Sequence, residues 1–335
     1  MYCHGFCCWT ALSSEYIPNT LLCFRDPFMS NALCLQQATS PWTSMFVVMS
    51  HNVTSPAEVA DHPLLVSYTT GVKDVALIMF YTLICIVMHA VIQEYVLDKL
   101  NRRLHLSKIK HSKFNESGQL LVFYLVSVIW GSEILRRENW LSSLPSLWTG
   151  YPHLEMSYMS KFYFIIQLSY WLHCFPELYF QKIKRDEMTS RATYASIYLV
   201  MWSVAYVFHL NRVALCLGVL HYFVEGLFHA SRLFYFADKT SVANFGFKLW
   251  NILFPFARFG SLTLSTLTFW FGLAQSSRPT VSVSEGNFNT PIIRINLLAA
   301  EFLLQAWMMW NFINFHLKRS REKAAELSAA KRNRG

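Results

Sequence analysis

Seven apolar runs divide this chain, at residues 75–93, 119–135, 161–180, 193–210, 213–236, 249–274 and 292–316. A helix rises ~1.5 Å per residue, so ~20 apolar residues match the ~30 Å hydrocarbon core of a bilayer. A helix of that length in a soluble domain keeps a polar face; these runs largely lack one. The expected fold class is therefore all-α, a polytopic membrane helical bundle of about seven spans. The composition agrees: 53% of residues are hydrophobic and 15% charged, where a soluble average is about 25% charged. The net charge of +9 does not point to nucleic acid, because the basic residues sit in loops and the tail rather than on one folded face.

Those loops set an orientation. Lys99, Arg102, Arg103, Lys108, Lys110 and Lys113 follow the first run, and Lys182, Lys184, Arg185 and Arg191 follow the third. Lys239 and Lys248 follow the fifth, and the tail is densely basic from Lys318 to Arg334. The opposite side holds far fewer: Arg25, Lys73, Arg136, Arg137, Lys161, Arg212 and Arg278. The positive-inside rule places the 94–118 loop and the C-terminus in the cytosol and residues 1–74 on the opposite side, which is the lumen if the membrane is that of the endoplasmic reticulum. The sequon Asn52-Val53-Thr54 lies on that lumenal side, which makes Asn52 the expected glycosylation site. A second sequon, Asn115-Glu116-Ser117, falls on the cytosolic side, out of reach of the glycosylating enzyme.

The first 44 residues hold Cys3, Cys7, Cys8, Cys23 and Cys34. They show neither paired Cys-x-x-Cys spacing for zinc nor the basic and apolar regions of a signal peptide. Disorder and lumenal disulfides are the competing readings. Cys85, Cys174 and Cys216 lie in apolar runs and read as packing residues. Past Lys318 the tail is expected to continue the last helix briefly and then fray. Trp140, Trp148, Tyr179, Tyr235 and Trp250 stand near run ends, where interfacial anchors belong.

Function is sought in the polar residues within the runs, since a charge at the centre of a spanning helix costs ~2.5–3.5 kcal/mol on insertion scales. His221, Glu225 and His229 recur at i, i+4 and i+8, with Arg232 at i+11. Two readings compete: a catalytic or metal-binding stripe, or a hydrogen-bond ladder between helices. His173 and Glu177 flank Pro176 in the third run, which should kink the helix there. Arg258 follows Pro255 in the sixth run, and Glu301 and Gln305 share the seventh. These groups either line one hydrophilic interior or hold the helices together. No G-x-S-x-G, P-loop or H-E-x-x-H is present. No catalytic residue, resident metal or cofactor is expected, and the chain reads as a non-enzyme. A transporter gains little, since no inverted repeat is evident.

Longer motifs carry a resemblance. The runs His89–Tyr95 and Leu97–Arg103, then Lys110–Gln119, Tyr170–His173, Pro176–Lys182, Leu220–Phe236, Gly286–Asn289 and Met309–Ile313 closely resemble the translocating chain-associated membrane (TRAM) proteins of the endoplasmic reticulum. The resemblance covers roughly residues 45–320, and residues 114–320 look like a TLC (TRAM, Lag1, CLN8) domain. It implies a helper of nascent chains at the Sec protein-conducting channel, with that channel, nascent polypeptides and membrane lipids as partners. The expected organisation is a divergent Cys-rich segment (1–44), a lumenal glycosylated segment (45–74), the first span with its basic loop (75–113), the TLC domain (114–320) and a basic tail (321–335). Family members have one more span before the glycosylated loop, and residues 1–44 do not match it. Ceramide synthases, the enzymatic cousins, are similar around Glu177 to Asp186 but carry a His-His pair shortly afterwards. Here Arg191-Ala192-Thr193-Tyr194 follows instead, and Tyr222 stands where those enzymes place an acidic residue. The alternative to translocation is therefore a lipid-acting protein, in lipid sensing, lipid transport or acyl transfer.

Overall fold

Inside hydrocarbon a backbone N–H or C=O has no partner except its own chain, so an apolar run must become a helix. In the computed structural model, which describes residues 43–54, 66–181 and 185–332, each run does. The helices are α1 (Asp74–Val91), α2 (Asp98–Leu104), α3 (Lys108–Arg137), α4 (Tyr158–Phe180), α5 (Arg185–Val207), α6 (Asn211–Phe236), α7 (Thr240–Ser265) and α8 (Pro291–Arg332). Five helical stretches, starting at Asp74, Lys110, Asn211, Thr240 and Pro291, are long and apolar enough to cross a membrane. The described residues form an all-α, multi-span membrane bundle. The expectations for Cys3, Cys7, Cys8, Cys23 and Cys34 lie outside the described residues.

Within the unit from Phe46 onward, α1 packs on α4, α4 on α5, α3 on α6, α6 on α7, and α7 on α8. The core runs through α4 and α6, where Tyr163, Phe164, Ile165, Leu215 and Tyr222 are fully buried. The Tyr222 hydroxyl knits this core. It accepts from the indole N–H of Trp171 (3.0 Å) and of Trp202 (2.8 Å) and donates to Gln167 (2.9 Å), which in turn donates to Ser127 (3.0 Å). Every partner is inside the protein, as a polar group in this setting requires.

Several expectations are corrected. The 94–118 loop is mostly helix: a π-helical segment, Ile92–Leu97, joins α1 to α2, and only residues 105–107 separate α2 from α3. Asp98 and Asn115 brace that turn across the two helices (3.2 Å). The tail does not fray after a short extension, since α8 runs to Arg332; its Ala, Glu, Lys and Arg are strong helix formers. A small antiparallel sheet, β1 (Asn52–Thr54) with β2 (Val66–Tyr68), precedes the bundle. Trp140 and Trp250 are buried core residues rather than interfacial anchors, Trp250 packing on Phe228, Phe254 and Phe312. Tyr179 and Tyr235 are exposed.

Lys161, expected as a loop charge, is instead wholly buried. Its ammonium pairs with Asp74 (2.7 Å) and donates to the carbonyls of Ser50 and Thr69 (both 2.8 Å). Asp74, itself 2% exposed, also accepts from Tyr206 (2.8 Å) and from the Gly71 N–H (2.8 Å). This cluster ties the starts of α1 and α4 to the end of α5. Removing one partner from a buried pair leaves an uncompensated charge, which costs about 3–5 kcal/mol. Lys161→Met and Asp74→Asn are each expected to lower the detergent unfolding temperature sharply. The double variant should regain much of the loss, because a neutral pair buries no charge. Single variants as stable as the parent would show that the cluster contributes nothing.

Candidate functional site

A lipid-facing helix can carry an arginine only if other helices supply its partners. Arg258, near the middle of the helical stretch formed by α7 and its π-helical continuation Thr266–Gly272, is 1% exposed. Its guanidinium reaches two other helices. It meets His221 Nδ1 on α6 at 3.0 Å, and on α8 it donates to Gln305 Oε1 at 3.2 Å and to Met308 Sδ at 2.8 Å. It also lies over the Phe254 ring, 4.9 Å from its centroid. Gln305 Nε2 passes the contact on to Glu301 Oε1 (2.7 Å). Arginine only donates, so His221 Nδ1 accepts and the ring proton sits on Nε2, facing the Tyr198 hydroxyl of α5. The polar chain Tyr198–His221–Arg258–Gln305–Glu301 thus links four helices.

The network forms one wall of a cavity of about 790 Å³ between α5, α6, α7 and α8. The remaining walls are mainly apolar, including Val200, Leu217, Phe269, Leu304 and Trp307. Val200, Leu303 and Trp307 line the cavity and are also exposed on the outer surface, so it opens sideways between α5 and α8. That volume is in the range of ligand sites, ~300–1,000 Å³. The site is an apolar slot with one buried cationic wall.

The structure separates residues that the sequence grouped. His221, Arg258 and Glu301 come together, and Glu225 lies within electrostatic range of Arg258, Tyr194 and Tyr198. His229 does not join them. It packs on Tyr124 and Phe228, and its Nδ1 has no hydrogen bond among the described residues. The reason is helical drift: at ~100° per residue, eight residues turn the side chain ~80° off the His221 azimuth. Arg232 returns to that azimuth but lies far along the axis, over the rings of Phe228 and Phe236. His173 and Glu177 sit together at the C-terminal end of α4, 3.3 Å apart, and α4 continues through Pro176 to Phe180. His89, on α1, reaches the same carboxylate at 2.8 Å. Sequence reasoning gave His89 no site role, because no spacing rule links α1 to α4.

The loops at one end of the bundle are tied to one another. Asn211 donates to the His153 carbonyl (3.2 Å), Tyr151 to the Phe208 carbonyl (2.7 Å), and Phe288 N–H to the Tyr151 hydroxyl (3.4 Å). Burial, helped by the nearby Arg212 charge, holds the His153 imidazole down to about 4.

Such a bundle, with a sideways slot and a buried cation, defines a polytopic membrane protein of the TLC-domain class, and residues 113–314 match the TLC domain of the TRAM, LAG1 and CLN8 proteins. The chain is 43% identical to human Translocating chain-associated membrane protein 2 over 296 residues, 88% of this chain and 79% of that protein. The mouse protein of the same name matches to the same extent. Ceramide Synthase FUM18 of Gibberella moniliformis is 25% identical over 221 residues, 65% of this chain and 49% of that protein. The chain belongs to the TRAM branch of the TLC-domain family.

Arg258→Met would strand His221 Nδ1 and Gln305 Oε1, a loss of about 1–3 kcal/mol for each buried acceptor left unpaired. Arg258→Lys is expected to be intermediate, since an ammonium lacks the planar fork that serves both helices. Unfolding temperatures in detergent rank the three proteins. An unchanged Arg258→Met midpoint would remove the network from any structural role.

Proposed function

We propose that this protein resides in the endoplasmic reticulum membrane and assists translocation or lateral insertion of nascent secretory and membrane proteins at the Sec channel, without enzymatic chemistry of its own. The observation that carries this reading is the sideways cavity, apolar on most walls and polar at Arg258, His221 and Glu301. A nascent segment too polar to enter lipid unaided finds there both a hydrocarbon-like wall and buried hydrogen-bonding groups. Each satisfied polar group lowers the cost of leaving the channel. The similarity to human and mouse Translocating chain-associated membrane protein 2 supports the same assignment.

The proposed topology has seven spans, a lumenal start and a cytosolic C-terminus. Tyr68 bridges to Met156, and Tyr151 reaches Phe208 and Phe288, so the segments before α1, α4, α6 and α8 share one end of the bundle. Asn52 is exposed there, on β1. On microsomes, Asn52→Gln is expected to abolish a glycosidase-sensitive mobility shift, while external protease removes the tail beyond Lys318. A shift that survives the substitution, or a protected tail, inverts the assignment.

A photocrosslinker placed at Val200 or Leu303, on the cavity mouth, is expected to capture a stalled nascent segment. Capture only by the Sec channel, with none from the cavity mouth, would defeat the mechanism.

A second reading, a lipid-acting protein, draws on the same apolar volume and on the similarity to a fungal ceramide synthase. Acyl-CoA turnover by purified protein that is lost in His221→Ala would favour it. The missing His-His pair after Asp186 weighs against it, because acyl transfer to an amine needs a base.

A further inference from the structure

The cavity network leaves a second polar cluster unused, at the C-terminal ends of α1 and α4. His89 and His173 both turn Nε2 toward the Glu177 carboxylate, at 2.8 Å from Oε1 and 3.3 Å from Oε2. The three ligand-capable groups lie within 4.8 Å of one another. His173 is 1% exposed, and its Nδ1 is hydrogen-bonded to the Tyr170 carbonyl. A carbonyl only accepts, so Nδ1 carries the proton. The Nε2 of a neutral His173 then points a lone pair at a carboxylate oxygen. That nitrogen makes no hydrogen bond among the described residues. Two lone pairs facing each other require something positive between them, either a second imidazole proton or a cation.

Two further features favour a cation. Metal-binding histidines commonly donate their other ring N–H to a backbone carbonyl, which fixes the tautomer and aims the free nitrogen; His173 does this already. On α1, the π-helical segment Ile92–Leu97 starts three residues after His89, and Gln119 donates to the His89 carbonyl at 2.9 Å. Such π segments occur frequently at functional sites.

We propose that His89, His173 and Glu177 form a zinc site that staples α1 to α4. Two imidazoles and one carboxylate are a zinc donor set, and the fourth position is left to water. A tetrahedral zinc ~2.0–2.1 Å from each ligand spaces its ligands ~3.3 Å apart, near the 2.8 and 3.3 Å that separate the two imidazoles from the carboxylate oxygens. Glu177 keeps a side-chain exposure of 20% and His89 of 15%, which gives an entry path and a place for the water. Gln181 lies 3.2 Å from His89 Nε2 and also contacts Glu177, so its amide stands beside the open position. This assignment departs from the expectation that the chain holds no metal.

The test uses the full-length, tag-free protein purified in detergent from zinc-replete medium. Elemental analysis is expected to find about one zinc per chain, and cobalt substitution should give the visible absorption of a tetrahedral site. His89→Ala, His173→Ala and Glu177→Gln should each lose the metal, by at least the ~10–100-fold in affinity that even an outer-shell change costs. His111→Ala, which alters a half-exposed histidine outside the cluster, should retain it. Should a variant fail to fold, the parent decides: chelation followed by zinc or cobalt return must restore both stoichiometry and spectrum. A parent protein with negligible zinc and no cobalt bands, or variants of the three residues that bind as well as the parent, would overturn the site and leave His173 a protonated partner of Glu177.

Discussion

A guanidinium that lipid cannot solvate governs the C-terminal half of this bundle. Arg258 satisfies its charge through groups on α6 and α8, so those helices must approach α7 at one level. The contact is side chain to side chain and leaves the space toward α5 unfilled. A cavity beside the network follows from that geometry, because His221 and Gln305 are directed at the cation while the flanking walls are aliphatic and aromatic. The cavity and the charge are two results of one requirement.

Polar groups elsewhere follow the same rule at other depths. Lys161 and Asp74 saturate each other and nearby carbonyls where α1 and α4 begin. The Tyr222 hydroxyl closes a ring of indole and amide partners in the core. The first lies at the helix starts, away from the cavity; the second shares Tyr222 and Trp202 with the cavity wall but spends its hydrogen bonds inside the core, which suits structural bracing. The Arg258 network differs in that it brings a charge to a volume open to the side. The His89, His173 and Glu177 cluster differs again, with a buried nitrogen left without a hydrogen bond. Function is assigned to the Arg258 network and the histidine cluster, and support to the other two.

The helix ends show how local chemistry can mislead. His105, His209 and Asp238 all adopt positive φ, and the next residue donates back to Asn101, Ala205 and Phe234 respectively. That closure is normally supplied by glycine or asparagine, which tolerate the left-handed conformation. A reader looking for glycine stops finds none at these positions. α5 therefore ends at Val207, three residues short of its apolar run, whereas α6 ends at Phe236 together with its run. The strands β1 and β2 were equally silent, being three residues each and held by pairing to one another and, through Tyr68, to Met156.

The order of residues along the chain was enough to establish helices in lipid, their number of apolar runs and the lopsided basic loops, because hydropathy and charge are properties of short segments. It also marked His221, Arg258, Glu301, His173 and Glu177 as polar groups that need an explanation. It could not say which of them meet. The i, i+4, i+8 spacing joined His229 to His221, yet rotation along α6 parts them, while Arg258 and Gln305, 47 positions apart, share a hydrogen bond. His89 and Glu177 lie on different helices and touch only once α1 is laid against α4. Contacts between helices depend on rotation and depth within the bundle, which packing sets and no window of sequence encodes.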